Sequence, residues 1–149
     1  MSININLLKY QSQLQLRKDK RLFDPIRKKW IVITPEELVR QMLLLYMIEE
    51  KDFPKNKINI EKQVLVNGQP KRFDILVYSK ETQPVLLVEC KAPNVPIDEM
   101  VLDQIARYNM VLKVNFLIMT NGIETFCCQV DYEKETFEIL DEIPNFNKL

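Results

Sequence analysis

Two carboxylates and a lysine interrupt apolar segments of the sequence and are the residues best suited to chemistry. Asp74 lies inside one apolar segment, and Glu89 and Lys91 follow the apolar run of residues 85–88. Residues two apart on a strand point to the same face, so Glu89 and Lys91 share one face while Cys90 takes the other. Charges at the end of a buried strand lose hydration, so these groups need partners or a chemical purpose.

Antiparallel pairing of the strands that hold Asp74 and Glu89 would bring the two carboxylates together. Two such groups repel each other unless a cation lies between them, and Mg²⁺ is held in proteins by one or two carboxylates. The alternative is purely structural, with Lys91 forming an ion pair with Asp74 or Glu89. The spacing alone leaves both interpretations open.

The residue types that are missing exclude several classes of function. The chain has no histidine, which excludes Ser-His-Asp and Cys-His catalysis and histidine zinc sites. Only Gly68 and Gly122 are present, so neither a Walker A loop nor a G-x-G-x-x-G turn can form, and no bound nucleotide is expected. The three cysteines lack a C-x-x-C pair and are expected to be reduced core thiols.

The sequence also predicts a cytoplasmic protein without a membrane segment. No run approaches the ~18 apolar residues of a membrane helix, and the polar N-terminus lacks the apolar stretch of a signal peptide. The net charge is zero, with 21 basic and 21 acidic residues, but basic residues crowd positions 17–29. Such a cluster, which includes Lys28 and Lys29, suits a phosphate backbone, or it is simply a solvated face.

The remaining patterns predict how these residues are positioned. A length of 149 residues fits one domain, here residues 1–149 with a basic N-terminal arm over about 1–33 that holds one short strand at 30–33. Thr34 followed by Pro35 and Glu37 predicts a capped helix to about residue 50. Strands are predicted over about 58–66 and 71–78, joined by a turn at Asn67-Gly68, and a third over 84–91.

In the second half of the chain, a helix is again predicted ahead of several strands. Asp98 is expected to cap a helix to about residue 112, followed by strands over 114–120, 124–131 and 136–140, with a turn at Asn121-Gly122. The order is α-β-β-β-α-β with extra strands at both ends. We therefore predict an α/β fold with a mixed β-sheet flanked by helices.

At this point the pattern resembles a known superfamily. Asp74, then fourteen residues, then Glu89-Cys90-Lys91, on a hairpin followed by a helix, resembles the PD-(D/E)XK nucleases, whose restriction-endonuclease-like core has the same order of elements. Gln104 and Tyr108 on the next helix resemble the Q-x-x-x-Y element of several branches of that superfamily. Phe73 stands where the superfamily has proline.

A wider set of segments, spread over about residues 22–145, resembles the small proteins related to the N-terminal domain of the type I restriction enzyme R protein, HsdR. The segments are Thr34-Pro35-Glu36-Glu37, Val39-Arg40-Gln41, Arg72-Phe73-Asp74, Glu89-Cys90-Lys91-Ala92-Pro93, Gln104, Tyr108-Asn109 and Thr120-Asn121-Gly122.

The resemblance implies a metal-dependent DNA endonuclease. Asp74 and Glu89 would bind Mg²⁺ or Mn²⁺ together with the backbone carbonyl of Cys90, and Lys91 would orient water or stabilise developing charge. Glu61 is the favoured further acid; Glu37 is another candidate, although its capping box already accounts for it.

The other implied roles concern DNA and partners. Gln104 and Tyr108 would support the site or touch the DNA backbone, and the expected phosphate contacts are Arg40, Arg72, Lys28 and Lys29. Restriction–modification subunits are the expected protein partners. The R subunit's ATPase motor is missing, so the alternative is a catalytically idle module that binds DNA or assembles with such a partner.

Overall fold

The fold is a six-stranded sheet with a helix on each face and a small second sheet beside it. The computed structural model describes residues 2–149, apart from the side chains of Tyr108 and Val111. Its strands and α-helices are β1 (Leu16–Arg17), β2 (Arg21–Asp24), β3 (Lys29–Val32), α1 (Pro35–Glu50), β4 (Ile58–Val66), β5 (Gln69–Tyr78), β6 (Pro84–Cys90), α2 (Glu99–Asn109), β7 (Phe116–Thr120), β8 (Thr125–Asp131) and β9 (Thr136–Ile139).

The main sheet follows chain order from β4 to β9. Every neighbouring pair is antiparallel except β6 and β7, which are parallel and are connected through α2. The predicted mixed sheet flanked by helices is confirmed. The strand predicted from residue 114 begins only at Phe116, because a 3-10 turn and Lys113, with φ 56°, close the preceding helix.

The two faces of the sheet form two apolar clusters. On one face, α1 packs Leu43 and Met47 against residues such as Val88 and Ile118. On the other face, α2 contributes Leu102 and Ala106 to a cluster that includes Leu87 and Leu117. Residues 85–88 of β6 are all buried, as expected for a strand covered on both faces.

The β4–β5 hairpin turns where the sequence predicts. Asn67 and Gly68 have φ values of 51° and 75°, and Val66 pairs with Gln69. Positive φ at both central residues is the type I′ geometry that fits the twist of a two-residue hairpin.

The N-terminal segment is more structured than an arm with one short strand. A 3-10 helix, Leu7–Gln13, buries Leu7 and Tyr10, and the hydroxyl of Tyr10 donates to Glu50 on α1. Strands β1–β3 form a separate antiparallel sheet, so the extra strands at this end do not extend the main sheet. They are only two to four residues long and are separated by turns in which Lys20 and Lys28 have positive φ.

Within the described part of the chain, no helix is both long enough and apolar enough to cross a bilayer.

Candidate active site

The site begins where β5 and β6 stop pairing. Ile75 pairs with Val88, and extending that register by one residue sets Asp74 across from Glu89. Instead of a backbone ladder bond, the backbone N–H of Cys90 donates to the Asp74 carboxylate, at 2.7 Å from its Oδ2. The hairpin geometry therefore brings the two sequence-predicted acids to the point where β5 and β6 stop pairing.

These two carboxylates are under-compensated. Burial raises the pKa of Asp74 above its usual value, although the Cys90 N–H, Arg40 and Lys91 all favour its ionised form. Burial also raises the pKa of Glu89, and the negative charge of Asp74 raises it further. A pair of acids whose ionised forms are disfavoured in this way is typical of a functional site.

Lys91 follows Glu89 at the end of β6. Its backbone N–H donates to the carbonyl of Thr120 on β7, at 2.8 Å, which holds the strand end in place. Its half-buried ammonium favours the ionised forms of Asp74 and Glu89. Among the described residues, no ion pair within 4.0 Å joins Lys91 to either acid, so the structural alternative of a direct salt bridge is not seen.

Beside this pair lies a buried charge network centred on Glu37. Arg40 donates to Glu37 twice, at 2.9 and 2.6 Å, and Arg27 donates to it at 2.8 Å. Burial alone would raise the pKa of Glu37, but these hydrogen bonds outweigh it and lower the pKa to about 2. Thr34 caps α1 through the backbone N–H of Glu37, as predicted, yet the carboxylate serves the arginines, so the capping box does not account for this residue.

Arg40, an expected phosphate contact, is buried beside carboxylates. It is 6% exposed, and besides Glu37 it lies 3.4 Å from Glu61 and 3.6 Å from Asp74. Its guanidinium is thus surrounded by carboxylates where a phosphate was expected. A contact with DNA remains a prediction and would require Arg40 to exchange one of these partners.

Asp24, a fully buried carboxylate, is a further member of this network that was not predicted from the sequence. Asp24 accepts hydrogen bonds from the backbone N–H groups of Ile26 and Arg27, from the Arg27 side chain at 2.6 Å and from Gln41 at 3.0 Å. Two sequence features could have indicated this network. One is the Asp24-Pro25 pair at the start of a turn. The other is the i, i+3, i+4 spacing of the polar residues Glu37, Arg40 and Gln41 on an apolar helix.

Glu61 is held in an unusual backbone conformation. It lies within β4 at φ 54°, and the ladder pairs Ile60 with Ile75 and Lys62 with Phe73 but skips Glu61 and Asp74. A left-handed conformation costs a residue with a side chain about 1–2 kcal/mol. This strain lies directly opposite Asp74, at the position where functional sites often store it.

A cleft of about 320 Å³ runs between the small sheet, α1 and the end of the main sheet. Arg27, Arg40, Glu61 and Asp74 line it, together with Ile31, Val32, Thr34, Glu36 and Glu37. The N-terminal segment therefore forms one wall of this cleft, through Arg27, Ile31 and Val32.

Glu89 and Lys91 are not among the residues that line this cleft, and the other predicted residues are not gathered there either. Arg72, Lys28 and Lys29 are exposed. Gln104 lies on α2 with an exposed side chain, and no hydrogen bond links it to Glu89 among the described residues, so its supporting role remains a prediction. The side chain of Tyr108 lies outside the described residues.

The donors that could hold a metal ion are the carboxylates of Asp74 and Glu89. Within the described residues, no group of three or more acidic, cysteine or histidine side chains is arranged to hold one. A small hard cation bound by one or two carboxylates, with backbone oxygen and water completing its shell, still fits this pair. The thiol of Cys90 is unsuited to a metal, because burial raises its pKa well above the usual value.

Comparison with known proteins places these features in context. A family model described as the type I restriction enzyme R protein N terminus matches residues 35–144. No curated protein sequence matches the chain. The solved fragment of a protein assigned as an HsdR subunit of a type I restriction enzyme from Vibrio vulnificus YJ016 shares the fold, with a TM-score of 0.53 and 21% identity. The similarity covers 76% of this chain and 24% of that one, so the chain spans about a quarter of that protein's length.

Proposed function

Because the chain belongs to the family of type I restriction enzyme R protein N-terminal regions, we propose that it is a metal-dependent endonuclease domain that hydrolyses DNA phosphodiester bonds. The observation that carries this proposal is the convergence of Asp74 and Glu89 where β5 and β6 stop pairing, with Lys91 two residues beyond Glu89. Their arrangement supports membership of the PD-(D/E)XK superfamily, which is part of the same proposal.

The proposed cofactor is Mg²⁺ or Mn²⁺. Asp74 and Glu89 would hold it, with the backbone carbonyl of Cys90 as a third protein oxygen. When bound, such an ion polarises the scissile phosphate and lowers the pKa of a coordinated water. Opposite charge placed beside Asp74 and Glu89 would offset the burial that now disfavours their ionised forms.

Lys91 would contribute through its Nζ. The ammonium can donate a hydrogen bond to the attacking water or to a phosphate oxygen on which negative charge develops. It lies close enough to both acids to influence their pKa, yet no ion pair among the described residues joins it to either, which leaves its donors available. This availability supports a chemical role over a structural one.

The proposed partners are DNA and the other subunits of a restriction–modification complex. The exposed residues Arg72, Lys28 and Lys29 would contact phosphate groups, and binding should weaken steeply with salt as counterions are released. Gln104 and Tyr108 on α2 would support the site or touch the DNA backbone.

A cleavage assay with purified protein tests the proposal. Supercoiled, linear and single-stranded DNA are incubated with Mg²⁺ or Mn²⁺, and with EDTA as the metal-free control. We expect cutting that requires metal and falls at least ~100-fold in Asp74→Asn and Lys91→Ala, since each removes a charge that acts on the reacting groups. Lys134→Ala removes an exposed lysine from β8–β9 and should cut as the wild type does.

Two other outcomes would change the conclusion. Salt-sensitive DNA binding without cleavage under any metal would favour the catalytically idle binding or assembly module. Cleavage that persists in both Asp74→Asn and Lys91→Ala would remove these residues from the active site.

A further inference from the structure

We propose that Arg40 is a positioning residue that acts as a built-in cation: its guanidinium bridges Asp74 and Glu61 and restricts the cleft to a single divalent ion on the Asp74–Glu89 side. This inference rests on the proposed metal-dependent function and names a specific determinant of it. Arg40 would take the place that a second metal ion takes in two-metal nucleases.

The geometry of Arg40 supports a fixed cation. Nε and Nη2 of the guanidinium donate to Glu37, which fixes its plane. Nη2 also lies 3.4 Å from Glu61, and Nη1 lies 3.6 Å from Asp74. An arginine stays protonated at any physiological pH, so this positive charge is permanent. A buried permanent charge among three carboxylates stands in for a bound ion.

Glu61 is turned toward Arg40 by its backbone. Its left-handed conformation interrupts the β4–β5 ladder opposite Asp74, and its carboxylate lies 3.4 Å from Arg40 and 3.7 Å from Arg27. With both arginines in place, Glu61 is occupied by guanidinium groups. We infer that it is not a metal ligand in the wild-type protein.

The charge balance of the cleft predicts what removal of Arg40 would do. Four carboxylates, those of Glu36, Glu37, Glu61 and Asp74, line the cleft against two guanidinium groups. Without Arg40, the carboxylates of Glu37, Glu61 and Asp74 would face the same space, and Arg27 would be the guanidinium left in the lining of the cleft. Several carboxylate oxygens around one space are what a hard divalent cation binds.

The test is the number of Mn²⁺ ions bound, measured by calorimetry and by electron paramagnetic resonance of free Mn²⁺. We expect the wild type to bind one ion and Arg40→Gln to bind two. Arg107→Gln, which removes an exposed guanidinium from α2, is the matched control and should bind one. Adding Glu61→Gln to the Arg40→Gln variant should remove the second ion.

A second measurement does not depend on whether Arg40→Gln folds. Glu61 is 43% exposed, so Glu61→Gln should fold, and its Mn²⁺ affinity should stay within about 3-fold of the wild type because Glu61 is no ligand there. A loss of 10-fold or more would overturn the proposal. So would a folded Arg40→Gln variant that binds no more ions than the wild type, or a wild type that already binds two.

The two proposals fail in different ways. A wild type that binds no Mn²⁺ and cuts no DNA removes the nuclease function. If Arg40→Gln then gains an ion, the role of Arg40 as a built-in cation still stands; if it gains none, that role is lost as well.

Discussion

Two sets of buried carboxylates lie side by side in this molecule and differ in how their charge is compensated. Glu37 and Asp24, between the small sheet and α1, accept several hydrogen bonds each, largely from Arg27, Arg40 and Gln41. Asp74 accepts one close hydrogen bond, from the Cys90 N–H, and lies 3.6 Å from Arg40, whereas Lys71 and Lys91 are the cations that favour the ionised form of Glu89.

The difference is the one expected between structural charge and, on the proposed function, charge that is held ready for chemistry. The pKa of Glu37 is lowered to about 2, whereas the pKa values of Asp74 and Glu89 are raised by burial. A fully paired carboxylate has no capacity left for a ligand. The under-compensated pair stores an electrostatic cost that a bound cation would remove.

The largest expected effect comes from breaking the compensated set. Glu37→Gln leaves Arg27 and Arg40 without their shared counter-charge in a buried place, and removal of one partner from a buried pair costs about 3–5 kcal/mol. Urea unfolding measures this loss. Glu138→Gln on the exposed face of β9 makes the same chemical change and should alter the free energy of unfolding by less than ~0.5 kcal/mol. A similar small value for Glu37→Gln would mean that the network is not structural.

Acidification should act oppositely on Glu37 and on the pair Asp74 and Glu89. Glu37 has a depressed pKa, so its contribution is present above its usual value of 4.5 and is lost as pH falls toward about 2, on the order of 3 kcal/mol in total. Asp74 and Glu89 have raised pKa values, so the cost of their ionised forms disappears as they are protonated. Urea unfolding at pH 7, 5 and 3 should therefore show acid destabilisation in the wild type that is much smaller in Glu37→Gln. An equally steep acid loss in that variant would contradict the assignment.

The smallest effect is expected at the sheet end. Asp74→Asn removes a desolvated charge while its side-chain oxygen can still accept from the Cys90 N–H, so stability should be unchanged or higher by about 1 kcal/mol. Asp24→Asn is the matched comparison, since it weakens the acceptor of Arg27 and Gln41 and should destabilise the fold. Thermal unfolding of both variants measures the contrast, which is lost if they are destabilised equally.

Local patterns predicted the main sheet well. The type I′ turn at Asn67-Gly68, the cap at Thr34 and the apolar run in β6 each depend on neighbouring residues, so the sequence carried their signal directly. The convergence of Asp74 and Glu89 could also be predicted, because the register of two consecutive antiparallel strands determines which residues lie opposite each other.

The N-terminal wall of the site could not be predicted in the same way. Its position depends on contacts between residues distant in sequence, such as Arg27 with Glu37 and Asp24 with Gln41. The hydrophobic periodicity of the sequence does not predict such contacts. The left-handed conformation of Glu61 was equally hidden, because glutamate is not a residue that favours it. Long-range charge pairing and local strain thus shaped the part of the site that the sequence left open.

Because the two sheets are separate, the two walls of the cleft should differ in rigidity. Strand β6 is hydrogen-bonded to a neighbour on each side, whereas β1–β3 share no ladder with the main sheet, and the described contacts that tie them to the site are side-chain contacts. Backbone amides of β6 should therefore exchange with solvent deuterium only on global opening, while those of β2 and β3 exchange through local opening. Access of a long polyanion to Asp74 would then depend on how often the small sheet opens locally.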